Sequence, residues 1–189
     1  MSNLHPNHLR STPSAFSRRI NLVASILQIF AVIWIGVVIW QITAFWSDHA
    51  AVVGNFGRRL HVDLSALSSE HYIAAVALVA VDVALTALVA LQIGRLASIY
   101  RRGEVFTENA AIGLQRLALY GVIALAGDLL ARHVVVLVLT AHLANGPIFG
   151  GLWITSQDFL YGIMILFIFM LASVFRAAAQ MAEEQAAII

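Results

Sequence analysis

Four apolar runs, each about as long as a bilayer is thick, leave this chain few ways to fold. The first extends from Ile20 to Trp46 without a single charged residue. The second runs from Tyr72 to Gly94 with Asp82 as its only charge, and the third is most apolar between Leu117 and Thr140. The fourth begins at Phe159 and continues past Val174. A helix needs about 20 apolar residues to cross a hydrocarbon core of about 30 Å. Helices satisfy every backbone hydrogen bond within the segment, as lipid requires. The expectation is an all-α integral membrane four-helix bundle with spans at about 20–46, 72–94, 117–140 and 159–178. Polar tails at 1–19 and 180–189 flank a membrane domain of 20–179.

Composition excludes the alternative of a soluble domain. The chain is 61% hydrophobic and 11% charged, against about 45–50% and 25% for soluble proteins. A net charge of +1 supplies no basic field for direct nucleic-acid binding. Cysteine is absent, which removes disulfides, thiolate metal sites and cysteine nucleophiles together. Arg18 and Arg19 ahead of an apolar run resemble the start of a signal peptide. The run is far longer than the usual h-region of about 7–15 residues, so it reads as a retained span.

The loops carry the orientation. Arg10, Arg18, Arg19, Arg95, Arg101, Arg102, Arg116 and Arg176 belong to one side and only Arg58 and Arg59 to the other. The positive-inside rule places the richer side, with both termini, in the cytoplasm, and the expected location is an inner membrane. Punctuation between spans is equally legible. Ser68 or Ser69 can cap the second helix and Thr107 the third, with Glu108 in its first turn. Gly103 suits a helix stop, Gly54-Asn55-Phe56-Gly57 and Gly150-Gly151 read as turns, and Asn145-Gly146-Pro147 as a break. Thr155-Ser156-Gln157-Asp158 has the form of a capping box.

Within the spans, Ala77, Ala80, Ala84, Ala87 and Gly94 form a small-residue stripe where a neighbouring helix can approach. Asp82, Asp128 and Arg132 are the informative charges, because a charge at a span centre costs about 2.5–3.5 kcal/mol. Asp128 and Arg132 share a helix face at i, i+4, and Asp82 lies at a matching depth on the preceding helix. The expectation is an Asp82–Arg132–Asp128 cluster, either a structural clamp or a proton- or cation-responsive group. His133 has no partner at its depth for a haem. The spacing of His49, His61, His71 and His142 is not diagnostic of a metal, so no metal or cofactor is assigned.

Two further segments carry a resemblance. Arg102-Gly103-Glu104-Val105-Phe106-Thr107-Glu108-Asn109 in a loop on the arginine-rich side, and the Asp158-Phe159 … Gly162 … Phe175 … Glu183-Glu184 pattern of the last helix, resemble the bacterial four-span membrane family known as domain of unknown function 2975. The ending Gln185-Ala186-Ala187-Ile188-Ile189 departs from that family's usual polar to β-branched terminus. The resemblance brings no catalytic residues. It implies a genomic neighbour of the small helix-turn-helix regulator type, and hence a cytoplasmic partner. No Walker loop, H-E-x-x-H pair or G-x-S-x-G elbow is present, so an enzyme is not expected. The expected role is a non-enzymatic membrane regulator or sensor. Proton or ion handling, alone or as a homo-oligomer, and an accessory subunit of a larger membrane complex are the alternatives.

Overall fold

A computed structural model describes residues 15–105, 107–144, 146–148 and 154–187. It comprises five helices, α1 (Ala15–Trp46), α2 (His49–Leu60), α3 (Ser69–Arg101), α4 (Glu108–Thr140) and α5 (Ser156–Ala187). Four of them, all except α2, are long and apolar enough to cross a membrane, and there is no strand among the described residues. Trp40 is 74% exposed and Leu166 69%, exposures that only lipid makes inexpensive for side chains of this size.

Each helix outruns the apolar stretch that announces it. α1 begins at Ala15 and α5 continues to Ala187, both inside segments that the sequence reads as polar tails. Alanine, glutamate, glutamine and methionine around residue 183 are strong helix formers, and a helix does not have to stop where lipid does.

The starts are capped as the residue types demand. The Thr107 hydroxyl accepts from the Ala110 amide at 3.3 Å, and Ser68 is the cap of α3, its hydroxyl accepting from the His71 amide. Between α3 and α4 the chain turns at Gly103, whose φ of 84° lies where only glycine is unstrained. α4 stops at Thr140, short of the glycine and proline at 146 and 147. Asn145, Phe106 and the Gly150-Gly151 pair lie outside the described residues.

The segment around residues 54–57 differs from the sequence reading. Instead of a turn, Gly54-Asn55-Phe56-Gly57 lies inside α2. Asp48 caps this helix by accepting from the Ala51 amide at 3.0 Å, and Arg58 and Arg59 sit in its last turn against the negative dipole end. His61 takes the left-handed closing position at φ 57°. Two glycines cost roughly 2 kcal/mol of helix propensity, and burial of Val52 with packing of Val53 and Phe56 on the long helices offsets this. Beyond α2, Ser65 hydrogen bonds, its amide at 2.8 Å foremost, hold the Asp63 carboxyl below its ordinary range.

The long helices lie side by side in the order α1–α3–α4–α5, each touching, among the described residues, only its immediate neighbours in that row. One apolar cluster, Leu67, Ala75, Val135 and Leu139, gathers Trp46, Phe56 and Tyr72 around it. There the Tyr72 hydroxyl donates to the Trp46 carbonyl, tying the end of α1 to the start of α3. At the arginine-rich end Leu96, Leu114 and Ala172 pack with Tyr100 and Phe175.

Close approach depends on small residues, but not on the stripe that the sequence suggested. Ala77, Ala80 and Ala84 are exposed, and Ala87 and Gly94 line a crevice between α1 and α3. The fully packed alanines are Ala75 and Ala97 on α3 and Ala110, Ala111 and Ala118 on α4. Alanine is so frequent here that several faces of α3 carry a run of it, and the neighbour's shape selects one. On α4, a β-carbon at Gly127 would lie 2.4 Å from the Leu85 side chain of α3, and one at Gly121 3.0 Å from Ile165 of α5. Gly127→Ile should therefore separate α3 from α4 and cost about 1–3 kcal/mol by overpacking. Gly94→Ala, with open space around it, should be neutral. Reversible unfolding in mixed detergent checks both.

Candidate functional site

Arg132 stands on the third turn from the end of α4 and reaches two carboxylates. Its Nε donates to Asp128 Oδ1 at 3.0 Å and its Nη2 to Asp128 Oδ2, one turn back on the same helix. The same guanidinium forks onto α5, with Nη1 to Asp158 Oδ2 at 3.1 Å and Nη2 to Asp158 Oδ1 at 2.8 Å. Planar five-donor geometry is what permits two bidentate pairs at once; a lysine ammonium has no such fork.

Asp158 is set for this contact by the start of its own helix. Its Oδ2 accepts from the Thr155 amide at 2.7 Å and from the Thr155 hydroxyl at 2.8 Å, while its amide donates back to the Thr155 hydroxyl at 3.4 Å. This is the capping box that the Thr155–Asp158 spacing predicts. It fixes the carboxylate while leaving it able to accept from Arg132. Asp158 is only 4% exposed, whereas the side chains of Arg132 and Asp128 are about one third exposed.

The pairing also fixes where α5 starts. Arg132 lies eight residues before Thr140, about 12 Å along the helix. The Ile148 amide donates to the Thr140 hydroxyl at 3.0 Å, so the connection first closes over the end of α4. Thr155, seven residues on from Ile148, lies back at the level of Arg132. A stretch of seven residues reaches at most about 23 Å, ample for that descent.

This geometry corrects the expected trio. Asp128 and Arg132 meet, but Arg132's second carboxylate is Asp158 rather than Asp82. Asp82 lies within electrostatic range of both Asp128 and Arg132. Its Oδ1 is nonetheless buried without a hydrogen-bond partner among the described residues. The reason is geometric: Asp128 and the fixed Asp158 already take all three faces of the guanidinium that the structure uses. Asp158 was legible only as a cap. The available signal was a lone intramembrane arginine in a chain with an acid at the first turn of the next span.

His133 Nδ1–H donates to the Leu129 carbonyl at 2.9 Å, and its Nε2 is buried and unpartnered among the described residues. The four histidines at the far end separate. His49 stacks on Tyr72 with ring centroids 4.7 Å apart, whereas His71 and His142 face each other at 6.1 Å.

The loop motif at the arginine-rich end divides between structure and surface. Gly103 makes the turn, and the Thr107 hydroxyl bonds the Glu104 carbonyl at 3.2 Å as well as capping α4. Phe106 is outside the described residues. Arg102, Glu108 and Asn109 are exposed. Beside them Arg176 of α5 donates to Gln115 of α4 at 2.7 Å.

Arg132→Leu leaves Asp158 buried without its cation and should destabilise the protein toward the lower part of the about 3–5 kcal/mol that breaking a buried pair costs, because Arg132 is partly exposed. Asp158→Leu should cost a similar amount. Asp82→Leu, which deletes an unpaired carboxylate, should be neutral or stabilising. Unfolding in detergent distinguishes these; equal losses at Asp82 and Asp158 would mean that Asp82 also holds the clamp.

No curated protein and no solved structure matches the chain. A family model described as protein of unknown function (DUF2975) matches residues 12–189. That span takes in all four long helices, the Arg102–Asn109 loop and the Asp158 clamp, so this four-span chain belongs to the DUF2975 family.

Proposed function

We propose that the protein is a non-enzymatic regulator or sensor of a bacterial inner membrane, with both termini in the cytoplasm, that works with a soluble helix-turn-helix partner. The observation that carries this reading is the surface at the arginine-rich end. Arg101, Arg102, Glu108 and Asn109 are exposed there on a rigidly capped turn. Arg102, Glu108 and Asn109 make no side-chain hydrogen bond or ion pair among the described residues. Polar loop residues on a fixed scaffold, free of structural work, favour recognition. α5 adds to the same surface: it continues eleven residues past Arg176, while α4 begins seven before Gln115. Its end therefore extends about 6 Å past the start of α4.

Inside-out membrane vesicles containing the protein should capture the co-encoded regulator, and right-side-out vesicles should not. Arg102→Glu combined with Glu108→Arg should reduce capture at least about tenfold, since close charge pairs across an interface couple by about 1.5 kcal/mol or more. Equal capture by both vesicle orientations, or by the reversed variant, would remove the reading.

Ion handling is favoured by a different observation, the buried unpartnered oxygen of Asp82 next to a guanidinium already committed to two carboxylates. Intramembrane acids in excess of their bases commonly mark proton pathways. On this reading proteoliposomes should show a proton or cation flux that Asp82→Asn abolishes while the Arg132 clamp stays intact. Flux that is absent, or the same in the variant, decides against it.

A further inference from the structure

At the end of the molecule opposite the arginine-rich turn, α3 and the exit of α4 bring together two histidines that neither the clamp nor the loop surface uses. His71 is in the first turn of α3, and His142 lies two residues beyond α4. Their rings are 6.1 Å apart between centroids and inclined at 53°. The two imidazoles differ in how they are held. His71 Nδ1 is 2.6 Å from the Ser68 hydroxyl, which fixes the ring and leaves Nε2 uncommitted. Both His142 nitrogens are buried with no hydrogen-bond partner among the described residues.

A histidine with two orphaned nitrogens is unusual, because in the neutral ring one nitrogen carries a proton and the other a lone pair, and burial penalises each when it is unpaired. A hydrogen bond from His71 to a hydroxyl is the kind of outer contact that orients a ligating imidazole. A groove of about 570 Å³ opens on His71, lined also by Glu70, Ala74, Ala141 and Pro147, and gives that ring an approach from solvent.

We propose that His71 and His142 bind a divalent transition ion of the class that prefers imidazole, such as Zn²⁺ or Cu²⁺. Among the described residues no three donor side chains already converge, so the site is a two-imidazole pair. Water would complete the coordination. With metal–nitrogen distances of about 2.0–2.1 Å, two imidazoles on one tetrahedral ion have ring centres about 5 Å apart. A modest rotation of either side chain closes the present separation. The ion would join the start of α3 to the segment leaving α4, adding a cross-link at an end held also by apolar contacts and by the Tyr72–Trp46 and Thr140–Ile148 hydrogen bonds. His49, stacked on Tyr72, and His133, bonded to Leu129, are not part of it.

The test is calorimetric titration of Zn²⁺ into the full-length, tag-free protein in detergent, in a background with the tail histidines His5 and His8 changed to alanine. One equivalent of Zn²⁺ per chain should bind. His71→Ala and His142→Gln should each weaken it at least about tenfold, whereas His133→Ala should not. His142→Gln keeps a polar side chain of similar size, and its unfolding midpoint without Zn²⁺ shows whether the variant has kept the fold. Zn²⁺ should also raise the midpoint of the parent protein and not that of a correctly folded His142→Gln. Absence of binding by the parent, or binding and stabilisation that both variants retain, would overturn the assignment.

Discussion

A guanidinium inside a membrane protein has to be matched where it stands, and the match made by Arg132 organises half of the molecule. Asp128 neutralises it along α4, and Asp158 joins it from α5 through a second bidentate contact. The capping box at Thr155 ties that carboxylate to the first turn of α5. Consequently the start of the helix, its lateral partner and its depth beside α4 are all set by one cation. Ile148 lies at the end of α4, whereas Thr155 lies back at the level of Arg132. An apolar core cannot specify depth in this way, because lipid-facing helices slide past one another with little change in burial.

Elsewhere in the row the helices are held by shape. α4 is the central element: Gly113 and Gly127 admit side chains of α3, and Gly121 admits Ile165 of α5. Among the described residues α1 contacts α3 but neither α4 nor α5. Its connection to the rest rests on the Trp46, Phe56 and Tyr72 cluster, where α2 also seats. The consequence is a division of labour along the bilayer normal. One end is closed by aromatic packing, the middle by a charged clamp, and the arginine-rich end by a capped turn whose remaining polar groups face outward.

That arrangement separates residues that build the protein from residues free to act. In the Arg102–Asn109 segment, Gly103 and Thr107 are explained by backbone geometry, while Arg102, Glu108 and Asn109 are not. In the acidic cluster, Asp128 and Asp158 are explained by Arg132, while Asp82 is not. Among the histidines, His49 is explained by ring stacking, while His142 is not. Side chains without structural work in a well-satisfied molecule are where recognition, ion handling or metal binding has room to occur.

The sequence by itself determined the number of long helices, the cap at Thr107, a cap at Ser68 or Ser69, the turn at Gly103 and the intrahelical Asp128–Arg132 pair. All of these follow from short-range rules: length against bilayer thickness, hydroxyls that satisfy free amides, and the i, i+4 register. The tertiary structure alone decided that the second acid on Arg132 is Asp158, that Ala75 and Ala97 rather than the Ala77–Ala84 stripe pack tightly, and that residues 54–57 are helical. Each depends on which face meets a neighbour and at what depth. That is a property of two elements together, and a periodicity shared by several alanine faces or several carboxylates does not select among them.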